Sequence, residues 1–78
     1  MVLKMTYNEK FVLFHRNVEL NLQYSQRKGQ AAWNAAMLVD PTIVELTDTL
    51  FDPYYHDDRL NAFIEAVTLR WRDQPENV

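Results

Sequence analysis

Cysteine is absent from the 78 residues, which removes disulfides, thiolate metal sites and thiol nucleophiles together. Glycine occurs once and proline three times, so a glycine-rich phosphate loop is excluded and the breaks in the chain fall at few places. Long hydrophobic runs are missing too. The longest stretch without a charge, residues 29–39, is too short and too rich in Gln, Asn and Ala to span a bilayer. Met1-Val2-Leu3-Lys4-Met5-Thr6 lacks the basic start and apolar stretch of a signal peptide, and a cytosolic protein is expected. A chain of 9.3 kDa buries only about 60–65% of its unfolded surface, which points to one small domain over 1–78 and excludes a large multidomain enzyme. Hydrophobic residues at 47% and charged residues at 24% are those of a globular chain, not a disordered one. Packing must hold the fold.

Charge is divided unevenly. Residues 1–39 carry five bases (Lys4, Lys10, Arg16, Arg27, Lys28) against two acids, whereas residues 40–78 carry nine acids against Arg59, Arg70 and Arg72. Six of those acids fall between Asp40 and Asp58 with no base among them. Acids gather at helix starts, where the helix dipole favours them by about 0.3–1 kcal/mol each. The same acids, Asp48 and Asp52 included, also make a surface suited to a basic partner or to the basic half of a second copy.

Periodicity reads as helix. Thr6-Tyr7-Asn8-Glu9 fits a capping box, and Tyr7, Phe11, Phe14, Val18 and Leu22 then recur at helical steps as one apolar stripe. Residues 18–24 alternate strictly, so a short hairpin within 10–24, giving an α+β fold, is the alternative. On a helix, Leu13, Leu20 and Tyr24 lie opposite the first stripe; such a helix is either covered on both sides or carries a partner interface.

Gly29 marks a junction, through positive φ or through close approach of another backbone. Residues 29–39 favour helix, with alanines that permit tight packing, and Asn34 is an amide expected to bond the backbone of the 51–56 loop. Asp40-Pro41 reads as an N-cap and first helical residue of a helix over 41–49, with Ile43, Leu46 and Leu50 facing the core. Residues 51–58 hold three aromatics in a loop expected to fold back on the core with an Asx turn at Asp52. Asp57 or Asp58 then caps a helix over 58–72, in which Leu60, Phe63, Ile64, Val67 and Trp71 form one buried stripe, and the tail 73–78 frays. An all-α bundle of three to four helices is the expected fold.

Three segments carry a resemblance. Arg27-Lys28-Gly29-Gln30 with Asn34, then Val39-Asp40-Pro41, then Asp52-Pro53-Tyr54-Tyr55-His56-Asp57-Asp58-Arg59 follow a basic-x-G-Q-x-x-x-N, V-x-P and D-P-aromatic-x-x-D-x-basic pattern. The pattern covers roughly 27–71 and resembles small helical proteins, many of them phage-encoded. It implies no activity, but a small all-helical protein of the bacterial cytosol that acts by binding a host protein.

Chemistry beyond binding has few footholds. Asp52, His56, Asp57 and Asp58 could share a cation, yet turn and cap formation account for the acids. His15 reads as a partly buried structural histidine beside the apolar stripe. No nucleophile arrangement is present, and neither a metal nor a cofactor is expected. The chain therefore reads as a non-enzymatic protein–protein interaction module, with self-association through Leu13, Leu20 and Tyr24 as one route. The alternative is a nucleic-acid-binding module using Arg16, Arg27, Lys28, Arg70 and Arg72, against which the acidic excess weighs.

Overall fold

A computed structural model describes residues 5–73 and shows an all-α globule. Helix α1 spans Tyr7–Gln23, α2 Lys28–Val39 and α3 Leu60–Asp73; between α2 and α3 lie two 3-10 segments, Pro41–Leu46 and Asp57–Arg59. No strand occurs among the described residues, so the alternation at 18–24 belongs to a helix: Val18 turns to the core while Leu20 and Tyr24 turn to solvent. The capping box forms, with the Glu9 N–H donating to Thr6 Oγ1 at 3.2 Å and the Thr6 N–H donating to Glu9 Oε1 at 3.0 Å. Helix α1 ends at Gln23, because Ser25 adopts a left-handed φ of 67° and turns the chain into α2. Positive φ falls on Ser25 and not on Gly29, whose role is the close approach.

The core is built from Phe14 of α1, the alanines of α2, Ile43, and Phe63, Val67 and Trp71 of α3. Ala31, Ala35 and Ala36 are wholly buried, so the neighbouring helices come close to the α2 backbone. Phe11, Phe14 and Trp71 meet edge to face, with ring centroids 4.9 Å (Phe11–Trp71) and 5.7 Å (Phe14–Trp71) apart. The indole N–H of Trp71 donates to Asp40 Oδ2 at 2.9 Å inside the core. Asp40 therefore does more than cap: its other oxygen accepts from the Thr42 N–H (3.1 Å) and hydroxyl (2.6 Å).

The helix expected over 41–49 is a six-residue 3-10 segment. The Thr47 and Thr49 hydroxyls donate to the Val44 and Leu46 carbonyls, and Asp48 turns left-handed at φ 61°, which ends the helix. Helical phase is lost there. Leu50, expected in the core, is consequently 75% exposed. Of the three loop aromatics only Tyr54 folds back on the core; Phe51 and Tyr55 remain exposed. The last helix begins as the 3-10 turn at Asp57 and continues to Asp73; of the tail read as frayed, residues 74–78 lie outside the described residues.

Candidate interaction surface

Helix α1 has two unlike faces. Tyr7, Phe11, Phe14 and Val18 pack into the core, and on the far side Leu20 is 43% and Tyr24 78% exposed. Leu13, on the same outward stripe, is half-buried and borders a shallow depression of about 360 Å³ with Met5, Asn8, Glu9 and Val12. Among the described residues Leu20 and Tyr24 on the second apolar side of α1 thus stay exposed, and in a groove-seeking helix such a stripe supplies anchors at one- and two-turn spacing.

The acids do not join that surface as a set. Asp48 is exposed, but Asp52 is buried and spends its carboxylate inside the loop, accepting from the Asp48 N–H at 2.8 Å and the Tyr54 N–H at 3.0 Å. That Asx turn removes Asp52 from the partner-facing residues. Asp57 does not cap its own helix. Its Oδ1 accepts from the Gly29 N–H at 3.1 Å and lies 3.4 Å from Arg27 Nη1, so it caps α2, while His56 occupies the N-cap of the 3-10 turn without a side-chain bond. Arg27 adds a 2.6 Å bond to the Tyr54 carbonyl, and the 53–57 backbone lies so close to α2 that a Cβ on Gly29 would overlap the Pro53 carbonyl oxygen. Asn34 donates to Gln26 Oε1 at 3.0 Å and not to the loop backbone. Arg27 and Gln30 hold the loop instead, the latter through Tyr54 Oη at 3.3 Å.

The five bases considered for nucleic acid are not assembled. Arg27 and Lys28 start α2, whereas Arg70 sits past its other end, bonded to Thr42 and to Glu45 Oε2 at 2.8 Å. Twelve residues of α2 separate the two groups by about 18 Å. Arg72 pairs with Asp73 at 3.7 Å, and Arg16 is exposed on α1. Three of the five cations thus face carboxylates of the same chain. Among the described residues no three His, Asp or Glu side chains converge to hold a metal; Asp52 is engaged in its Asx turn and Asp57 at the start of α2. No described helix is long and apolar enough to cross a membrane.

One feature escaped the sequence: a pocket of about 190 Å³ where α1, α2 and α3 meet, with Lys28 at its edge. Spacing gives no signal of it, since Leu22 belongs to the core stripe by sequence and only the structure leaves it 42% exposed. Comparison with protein families, curated proteins and solved structures finds no match.

Proposed function

We propose that the protein is a non-enzymatic protein–protein interaction module whose docking element is the outward face of α1. What supports this is the exposed stripe itself: Leu20 at 43% and the C-cap residue Tyr24 at 78% exposure, on a 17-residue helix whose opposite side packs on the core through Tyr7, Phe11, Phe14 and Val18. A helix of that length runs about 25 Å, enough for three anchors to enter a groove. The resemblance of residues 27–71 to phage-encoded helical proteins makes a host protein of the bacterial cytosol the natural partner, and self-association through the same face the competing one.

Photo-crosslinking residues placed at Leu20 and Tyr24, with Glu65 on α3 as control, test the reading in bacterial cells. Positions 20 and 24 should each give a discrete adduct that position 65 does not. An adduct of twice the chain mass identifies a second copy, and any other mass a host protein. Equal or absent adducts at all three positions end the proposal.

A further inference from the structure

The pocket between the helices lies on the side of α1 opposite the outward face and is independent of the docking reading. Its floor is Phe14 and Ala32, both buried, and its walls are Val18, Leu22, Leu60 and Ile64. Two core stripes converge here on an alanine, too small to fill the space between them. Leu22 is left 42% exposed where its spacing should have buried it, so the site is an unfilled section of core that opens to solvent. Close-packed interiors rarely retain such a void.

Two residues with polar ends border the pocket, Lys28, whose stem belongs to an almost wholly apolar lining, and His15, which is exposed rather than partly buried and has its ring 5.4 Å from that of Phe14. No carboxylate lines the pocket, and none of the salt bridges among the described residues involves Lys28, whereas Arg27, Arg70 and Arg72 are all paired. An exposed lysine whose stem borders an apolar well can bring its ammonium to the mouth, and such a site selects an anion that carries an apolar tail. Size narrows the class: an apolar cavity of about 150 Å³ takes up benzene, so about 190 Å³ suits a chain or ring of roughly six to eight carbons.

We propose that this pocket binds a medium-chain aliphatic carboxylate, with the tail against Phe14, Val18, Ile64 and Ala32 and the carboxylate at Lys28. The occupant is a small molecule rather than a protein side chain, because the opening is bounded by three helices and is separate from the outward stripe of α1. The carboxylate contact sits at the exposed rim, so it is screened by salt and contributes orientation more than affinity. Affinity comes from the buried tail.

Octanoate is the probe, titrated into the full chain and followed by amide and methyl chemical shifts. A saturable Kd on the order of 0.1–1 mM is expected, with shifts concentrated at Val18, Leu22, Ala32 and Ile64. Lys28→Gln, an exposed substitution in the first turn of α2, should weaken octanoate about three- to tenfold and leave octanol unchanged. Lys28→Glu should reverse the preference toward octylamine. Absence of saturable shifts up to several millimolar octanoate overturns the site. So does equal binding of octanoate, octanol and octylamine, or an octanoate affinity indifferent to Lys28→Gln. Shifts mapping to Leu13, Leu20 and Tyr24 instead would also overturn it, while leaving the docking reading intact.

Discussion

The first turns of α1 and α2 are secured by opposite means. Helix α1 is closed by its own neighbours, Thr6 and Glu9, three residues apart in an exposed capping box. Helix α2 has Arg27 at its N-cap, whose side chain caps none of the helix's own N–H groups, and the acceptor for its Gly29 N–H is Asp57, 28 residues further on. A local cap stands whenever the turn it closes stands. A distant cap stands only while the intervening loop is folded, so the start of α2 and the 53–57 loop form one cooperative unit, and the start of α1 does not belong to it. The difference separates a helix end that frays alone from one that takes a loop with it.

Asp40 combines both modes and carries the largest expected effect. It caps Thr42 two residues on and accepts the Trp71 indole N–H across 31 residues, in the core. Asp40→Ala leaves that N–H buried without a partner and should cost about 2–4 kcal/mol in urea unfolding followed by tryptophan fluorescence. A loss below about 0.5 kcal/mol would put Asp40 on a par with an exposed cap and dissolve the distinction. Gly29→Ala comes next. Alanine is favoured over glycine in a helix by about 1 kcal/mol, but here its methyl overlaps the Pro53 carbonyl and approaches Asp57 Oδ1 at 2.8 Å. Backbone has to move, and a net loss of about 2–3 kcal/mol is expected. A gain in stability would mean that the loop yields freely and that α2 is not tied to it.

What was legible in the chain follows the same division. The capping box, the stripe through Val18, the buried alanines and the outward line of Leu13, Leu20 and Tyr24 all depend on residues within a few turns, and spacing reveals them. Asp57 caps α2 and not the helix it precedes, which spacing does not reveal, because an acid before a helix has the same local appearance whether it caps that helix or another. Asn34 does not bond the loop backbone expected of it; its partner is a side chain, Gln26, that no periodicity singles out. Leu50 failed for a different reason. Spacing from Ile43 and Leu46 places it in the core, but the backbone leaves helical geometry at Thr47 (ψ 131°) and Asp48 (φ 61°) before the phase reaches it. The pocket beside Lys28 arises where stripes of two helices meet an alanine of a third, which is a property of packing and is written in no single segment.

Smaller substitutions sharpen the contrast between the two helix starts. Asp57→Ala removes the distant cap and an exposed ion pair and should cost about 1–2 kcal/mol; Thr6→Ala removes the local cap and should cost about 0.5–1 kcal/mol. Hydrogen exchange tells them apart more clearly than the energies do. Asp57→Ala should speed exchange in the first turn of α2 and at His56 N–H, which donates to Pro53, whereas Thr6→Ala should act on the first turn of α1 alone. Exchange confined to α2 in the first variant would uncouple the loop from the helix.

The finest test is electrostatic. The Thr6 N–H donated to Glu9, and after it the Thr6 hydroxyl, hold the Glu9 carboxyl below its ordinary value. Because the folded value lies below the unfolded one, the contribution of this ionised cap is complete above the unfolded value and disappears as pH falls through the folded value. Glu9→Gln keeps an acceptor but removes the charge, so its deficit in unfolding midpoint relative to the parent chain should be steady at neutral pH and shrink toward zero in acid. Asp57→Ala shares no such link to the α1 start, and combining it with Glu9→Gln should leave this narrowing unchanged. A deficit that stays constant across the acid range would show that the box closes α1 by geometry alone, without the carboxylate charge.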